Sequence, residues 1–366
     1  MNDETAVTGV LHPGTGPIHA EIYLPSDPDA IFWGRLPRGD DPPVLAVDDG
    51  AVVTVDTLSH EGVLEDQGSD PVAFFGAHGV PPEAVLADAV RVAEIRHRDE
   101  GAGPHIVTGP IEIRGTQPGD LLAIDVLETL PRVPYGVISN RHGRGALPGE
   151  LPRTEGAVSV FAGTEAGPHG PIGRIARSAE GPRDVTFPLA PFLGLMGVAS
   201  TSRERLDSVP PGPHGGNLDI KLLTAGSTLY LPVQVPGALA YLGDPHFAQG
   251  DGEVALTALE ASLRVTVRFR RIPASEPIAR VAAVHGPIVQ TPEYLVPTGL
   301  DPDLGEAMRK AVRAAIAVLV ELFGMDHEHA YAYLSAATDF DISQVVDQVT
   351  GVHARIRVAD LTGGPA

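Results

Sequence analysis

The segment YLGDPHFAQGDGE at positions 241–253 concentrates acids, a histidine and a glutamine among three glycines. A turn that only joins two strands needs Gly, Asn or Asp at two or three positions. It does not also need Asp244, His246 and Glu253. Because alternate residues of a strand point to one face, Asp244 and His246 could ligate one ion or contact one substrate. The segment therefore indicates a binding or catalytic site.

Glu253 lies at the junction of this loop with the next apolar segment. A carboxylate at such a junction can act as a general base if burial raises its pKa toward neutrality. The simpler alternative is an exposed acid at the start of a strand. For the other polar residues the alternative is that Asp219 and Asp244 cap turns and that His246 hydrogen-bonds a backbone carbonyl.

Two further segments gather polar groups beside glycine, which lets a ligand approach the backbone closely. In VDTLSHEGVLEDQGSD, Asp56 and His60 follow a predicted strand. In PHGGNLD, the polar groups are His214, Asn217 and Asp219. These segments are the remaining candidates for the walls of the site.

The loop NRHGRGALPG (140–149) carries Arg141, His142 and Arg144. We expect a solvated loop; a lid over the site or a contact with another subunit are the alternatives. The remaining histidines, His105 among them, have no partners at an informative spacing. They are predicted to be structural or exposed.

Composition narrows the class of protein. The chain has 366 residues, of which 43% are hydrophobic, as expected of a folded protein with a large core. Its net charge of −21 argues against binding to a nucleic-acid backbone. The absence of cysteine excludes disulfides, thiolate zinc sites and cysteine nucleophiles.

No apolar run reaches the roughly 18 residues of a spanning helix, and the acidic N-terminus does not resemble a signal peptide. A cytoplasmic protein without a membrane partner is expected.

Several catalytic motifs are absent from the sequence. There is no G-x-S-x-G nucleophile elbow, and no phosphate-binding loop or H-E-x-x-H pair. No G-x-G-x-x-G follows a strand. These absences argue against a serine hydrolase, an NTPase and a dinucleotide enzyme. Carboxylate- or metal-assisted chemistry on a neutral substrate remains.

The pattern of apolar residues predicts an α+β fold that is predominantly β, with a sandwich or barrel body and a helical C-terminal layer. Strands are predicted within 51–58, 105–115, 120–130, 227–235 and 261–272. Helices are predicted at 81–99, 303–324, 327–337 and 341–349, the last with Asp341 as its N-cap. The Pro/Gly-rich stretch 208–216 predicts a boundary between parts 1–207 and 208–366, which share the site. The same stretch could instead be a site loop.

The segment HGGNLDIKLLTAGSTLYLPVQVPGALAYLGDPHFAQGDGEVALTALE (214–260) closely resembles the acetamidase/formamidase family. That family shows GGN-x-D, then LYLPV-x-V-x-GA, then GD-x-H-x-x-QGDGE, and every one of these positions is matched here. VTGPIEIRGTQPGDLLAIDVL (107–127), PFLGLMGVAS (191–200) and the segment 331–356 resemble further family elements. The likeness thus covers most of the chain.

The resemblance implies hydrolysis of short aliphatic amides, such as acetamide or formamide, to carboxylate and ammonia. It also implies a two-part α+β fold, a homo-oligomer (a dimer or larger), and a divalent metal, zinc or alternatively calcium. The residues then expected to surround the ion, some of them indirectly, are Asp56, His60, Asp219, Asp244 and His246. Glu253 is expected to be the general base. Asn217 and Gln249 are expected to hydrogen-bond the carbonyl and NH₂ groups of the amide.

Two alternatives remain open from the sequence. One is a γ-lactamase or another cyclic-amide hydrolase of the same family. The other, from a different class, is a non-catalytic β module that binds a sugar, another small ligand or a metal. Such a module has no evident need for the carboxyl-rich QGDGE segment.

Overall fold

A computed structural model of the protein describes residues 9–361; the first eight residues of the acidic N-terminus, where no secretion signal is expected, lie outside this range. The strands in chain order are β1 Ile22–Leu24, β2 Ile31–Trp33, β3 Leu45–Val47, β4 Val52–Asp56, β5 Ile106–Ile113, β6 Leu121–Pro131, β7 Tyr135–Arg141, β8 Ala157–Gly167, β9 Gly170–Ile175, β10 Val185–Pro188, β11 Phe192–Val198, β12 Gly215–Asn217, β13 Thr228–Pro232, β14 Ala240–Ala248, β15 Leu259–Glu260, β16 Leu263–Ile272, β17 Ile288–Gln290, β18 Tyr294–Asp301, β19 Asp339–Gln344 and β20 Thr350–Arg357. The helices are α1 Pro71–Gly76, α2 Ala87–Ile95, α3 Pro277–His285, α4 Leu304–Phe323 and α5 His327–Ala337.

Within residues 9–361 the strands form two sheets. The first has nine strands in the order β1-β4-β16-β6-β13-β17-β18-β20-β19. The second has eleven: β10-β9-β8-β7-β15-β14-β11-β12, with β5 beside β14 and with β2 and β3 beside β5. Apolar faces of both sheets meet in one core, to which Val55 and Val265 contribute from the first sheet and Ile111 and Phe247 from the second. The predicted predominantly β, α+β fold is confirmed.

The C-terminal helices cover one end of the first sheet. Helix α4 begins where the Asp303 side chain accepts a hydrogen bond from the Glu306 amide, and it ends at Gly324 with φ +67°. It packs against β18 and β20, with α3 and α5 beside it. Its alanine-rich face, including Ala311 and Ala315, is buried in this contact. The predicted helical layer is confirmed, and core packing accounts for the alanine-rich face.

The predicted strands all occur, but two helix predictions need correction. The predicted helix 81–99 is shorter, with a single 3₁₀ turn at Pro82–Ala84 before α2. The predicted helix 341–349 is wrong: this segment contains the end of β19 and a turn. β19 pairs with β20, and Asp341 accepts a hydrogen bond from Arg355 instead of capping a helix. Cross-strand pairing, a long-range effect, overrides the local helical pattern.

Each sheet contains strands from both sides of residue 207. The division at 207/208 remains a prediction. Within residues 9–361, no helix is both long enough and apolar enough to span a membrane.

Candidate active site

Strand β14 brings two predicted site residues together. Asp244 has φ +48°, in the left-handed region that non-glycine residues rarely adopt. The strand's pairing with β15 is irregular beyond His246. In this geometry the Asp244 Oδ2 and His246 Nε2 atoms are 3.0 Å apart. The expected placement of both side chains on one face is therefore observed.

Gly194 of β11 provides the floor beneath these side chains. A Cβ atom at this position would lie 2.4 Å from Asp219 Oδ1, 2.6 Å from His246 Cε1 and 2.7 Å from Asp244 Oδ2. Any side chain here would displace three predicted site residues. The glycine therefore lets the carboxylates and the imidazole converge on the strand.

Two more predicted site residues also have left-handed backbones: φ is +51° at Asp219 and +45° at Glu253. Such conformations cost on the order of 1–3 kcal/mol each and concentrate at functional sites. The loop carrying Glu253 is tied to the C-terminal hairpin, because the Gly252 amide donates to the Ser343 carbonyl and the Val345 amide donates to Gly252. This contact brings the turn after β19 to the site.

Two further histidines, His60 and His105, join the cluster from the N-terminal part of the chain. His60 Nδ1 lies 3.6 Å from Asp244 Oδ1, and His105 Nε2 lies 3.9 Å from the same oxygen. Glu260 lies between His246 and His60. Its Oε1 is 3.0 Å from His246 Nε2, and its Oε2 is 4.0 Å from His60 Nδ1. The two oxygens of Asp244 therefore face different histidines.

The cluster forms part of the wall of a cavity of about 330 Å³. His60, Asn217, Asp244 and Glu253 line it, so both predicted parts of the chain contribute to one site. Cavities of this size are typical of small-molecule sites. The Pro/Gly-rich stretch supplies Val209 to the wall, which agrees with the alternative interpretation of that stretch as a site loop.

Carboxyl groups outnumber imidazoles in the buried cluster. Burial raises the pKa of the Asp219 and Glu253 carboxyls well above the usual range, and repulsion between neighbouring carboxylates adds to this effect. Burial opposes protonation of His60, but Asp244 and Glu61 outweigh it and raise the pKa of His60 to about 10. An acid cluster of this kind attracts compensating positive charge.

Many polar atoms of the cluster have no hydrogen-bond partner within residues 9–361. Contacts at His60 are too long or too poorly aligned to count as hydrogen bonds. Buried atoms left in this state are His60 Nδ1 and Nε2, both Asp219 oxygens, Asp244 Oδ1, His246 Nε2, Glu253 Oε2 and Glu260 Oε2. Three sets of side chains place their ligand atoms within 4.8 Å of one another: His60, His105 and Asp244; Asp219, His246 and Glu253; Asp244, His246 and Glu260. The arrangement suits a bound cation.

Asn217 and Gln249 have different surroundings. Asn217 lines the cavity, and its buried Oδ1 has no hydrogen-bond partner in the described part of the chain, so this oxygen can bind a ligand. Gln249 does not line the cavity: its Nε2 donates to the Asp219 and Ser343 carbonyls, and its Oε1 lies 3.1 Å from His246 Nδ1. Gln249 therefore orients the His246 ring so that His246 Nε2 faces the carboxylates. The expected hydrogen bond from Gln249 to a substrate amide does not fit this position.

Asp56 is not part of the cluster. It lies opposite Arg264 across the β4–β16 ladder. Arg264 Nε donates to its Oδ1 at 2.6 Å, while the Tyr23 hydroxyl donates to Oδ2 at 2.5 Å and Arg264 Nη2 to Oδ2 at 3.0 Å. Both oxygens of Asp56 are thus engaged by Arg264 and Tyr23, and Asp56 is absent from the three groups of side chains in the cluster that could hold an ion. The expected ligand role of Asp56 is replaced by a buried ion pair.

Sequence reasoning missed three members of the cluster: His105, Glu260 and Asp347. His105 was expected to be structural or exposed, and Asp347 fell in the segment wrongly predicted to be helical. Neither His105 nor Glu260 stands near another ligand-type residue in a ligand spacing. Only strand pairing and the packing of the C-terminal turn bring them together.

Comparison with known proteins identifies the family of the chain. A model of the acetamidase/formamidase family matches residues 87–208 and 200–358. The chain belongs to the acetamidase/formamidase family. Solved structures share its fold: acetamidase from Yersinia enterocolitica superposes with a TM-score of 0.72 at 24% identity, over 97% of each chain.

A formamidase and an acetamidase are similar to this chain in sequence. Formamidase from Methylophilus methylotrophus is 28% identical over 302 residues, which covers 66% of this chain and 73% of that protein. Acetamidase from Mycolicibacterium smegmatis is 32% identical over 207 residues, covering 43% of this chain. The match spans only 51% of the acetamidase's own length.

Proposed function

We propose that this protein is an amidohydrolase that cleaves linear aliphatic primary amides, of which formamide and acetamide are the smallest, to carboxylate and ammonia. The observation that carries the proposal is the buried cluster of unpartnered imidazole and carboxylate groups on the wall of the 330 Å³ cavity. The formamidase and acetamidase names of the relatives support the same reaction class.

A divalent cation fits this cluster. Imidazole nitrogens mixed with carboxylate oxygens favour zinc, which binds about four such ligands, over calcium, which takes about six to eight oxygens. We propose that Asp244 and His246 hold the ion, together with members of the set His60, His105, Asp219 and Glu260. When bound, the ion would polarise the amide carbonyl and lower the pKa of a water.

The chain's own groups supply the proton transfers. Glu253 takes a proton from the attacking water as the water oxygen bonds to the carbonyl carbon. It then delivers that proton to the nitrogen as the carbon–nitrogen bond breaks, releasing ammonia. Asn217 Oδ1, which no donor among residues 9–361 contacts, accepts a hydrogen bond from the substrate NH₂ group. An ester lacks this donor, so the contact selects amides.

The pH dependence of activity follows from the raised pKa of Glu253. A base must be deprotonated, so the acid limb of the kcat/KM profile should lie above the pKa of about 4.3 of an ordinary glutamate. Burial is the main cause, and the charge of Asp347 adds to it. Burial raises the pKa of Asp347 itself to about 7.

Asp347→Asn removes the charge of Asp347 and should move the acid limb of the kcat/KM profile to lower pH. Asp339→Asn, on the same hairpin but exposed, is the control. An unmoved limb would show that Asp347 does not act on the base.

The proposed function is tested by measuring the ammonia that the purified protein releases from linear amides. Formamide, acetamide and propionamide are assayed for ammonia, with zinc or calcium supplied. Cyclic amides, whose hydrolysis opens the ring and releases no ammonia, are assayed beside them by chromatography of the amino-acid product. Turnover of the linear amides supports the proposal. Turnover of cyclic amides alone would move the assignment to a γ-lactamase. Saturable binding without turnover would favour a non-catalytic module.

A homo-oligomer is proposed from the family resemblance alone. Light scattering of the purified protein gives its mass in solution. A monomeric mass would overturn this part of the proposal.

A further inference from the structure

The cavity is larger than the smallest amides require. Water occupies about 30 Å³ per molecule in the liquid, so an amide with four heavy atoms fills on the order of 100 Å³. The cavity holds about 330 Å³. Room for several additional heavy atoms remains beside the reacting group.

The lining of the cavity is partly apolar. Leucine and valine side chains contribute to it, namely Leu64, Val209, Leu256 and Val346. A short run of methylene groups attached to the amide would contact these side chains. The walls therefore suit a longer substrate than acetamide.

Charged groups on the exposed part of the cavity are paired, with one exception. The pairs are Arg98 with Glu65 at 2.7 Å, Arg141 with Asp66 at 2.5 Å, and Asp207 with Arg35 at 3.2 Å. Arg144 also lines the cavity and is exposed. Among residues 9–361 it has no carboxylate within 4.0 Å. A substrate group that reaches this part of the cavity meets an uncompensated guanidinium.

The loop that carries Arg144 is tied to the segment that carries Glu253. The Ala146 amide donates to the Val254 carbonyl at 2.9 Å, and Asn140 Nδ2 donates to the Ala255 carbonyl at 2.7 Å. Gly145 permits the close approach, since a Cβ atom there would lie 3.2 Å from the Val254 carbonyl oxygen. The backbone of this loop is thus tied to the segment that follows the proposed base.

We propose that the preferred substrates are linear amides with a carboxylate at the far end of a short methylene chain, and that Arg144 binds this carboxylate. A guanidinium suits the role because its planar N–H groups match the two oxygens of a carboxylate. This inference rests on the proposed amidase function and specifies its substrate class. It assigns Arg144 as a specificity-determining residue.

The test compares succinamate, the monoamide of a four-carbon diacid, with butyramide, which has the same chain length and no charge. Wild-type protein should show a kcat/KM for succinamate at least about tenfold above that for butyramide. Arg144→Ala should lower this ratio by about tenfold, and Arg144→Lys should restore part of it. Arg153→Ala removes an exposed arginine that does not line the cavity, and it should leave the ratio as in wild type.

Two results would overturn the inference. One is equal kcat/KM values for the two amides in wild type. The other is the same ratio in Arg144→Ala and Arg153→Ala. If neither amide is cleaved and the short amides are not cleaved either, the amidase proposal itself fails. In that case calorimetric binding of succinate decides whether Arg144 holds an anion: binding that is weaker in Arg144→Ala supports the site, and equal binding rejects it.

Discussion

We expect Glu253→Gln to lower amide turnover by about a hundredfold or more while the protein stays folded, because glutamine has nearly the same shape but cannot accept the proton of the attacking water. The wild-type carboxyl is buried, and its Oε2 has no hydrogen-bond partner among the residues that the structure describes. Loss of a charge from a cluster rich in acids should not destabilise the fold. The measurement is kcat for acetamide across a range of pH.

Glu293→Gln is the matched control, since Glu293 is exposed and does not line the cavity. It should behave as wild type. Metal content and melting temperature of Glu253→Gln are measured in parallel, so that loss of the ion is not mistaken for loss of the base. Turnover within a few-fold of wild type would remove Glu253 from the role of base.

The second large effect is expected at His246, the imidazole between Asp244 and Glu260. His246→Ala should lose bound metal and reduce turnover by at least on the order of a hundredfold. It removes a nitrogen that lies 3.0 Å from an oxygen of each carboxylate, whereas loss of a residue that merely supports a ligand already costs about ten- to a hundredfold. Elemental analysis of the purified variant gives the metal content. His97→Ala, at an exposed position, is the control.

A variant at a fully buried position can fail to fold, so wild-type protein provides an independent readout. A cation that binds only the folded state stabilises it by about 2.7 kcal/mol at a free concentration 100-fold above Kd. Chelation should therefore lower the melting temperature, and re-addition of zinc should restore it more fully than calcium. A melting temperature that is unaffected by chelation, together with a metal-free His246→Ala protein of full activity, would contradict the proposed cation site.

The fold was largely predictable because the dominant signals are local. The apolar run LLAIDVL and the period-two alternation of LRVTVRF predict β6 and β16, and the acid-capped, glycine-terminated pattern at 303–324 predicts α4. DISQVVDQV shows the limit of such reasoning. Its apolar spacing is compatible with a helix, but pairing with β20 makes its first half a strand.

For the site, the sequence alone determined the segments GGNLD and GDPHFAQGDGE, and with them Asn217, Asp219, Asp244, His246 and Glu253. It did so because glycine and ligand-type residues are concentrated there within a few positions. Only the tertiary structure decided which of the other polar residues join them. Cross-strand pairing places Asp56 in an ion pair with Arg264, and internal hydrogen bonds occupy Gln249. Sheet packing places His105 and Glu260 beside Asp244 and His246. Which side chains meet depends on strand register and on the left-handed backbone at Asp219, Asp244 and Glu253, and both are set by contacts between residues far apart in the chain.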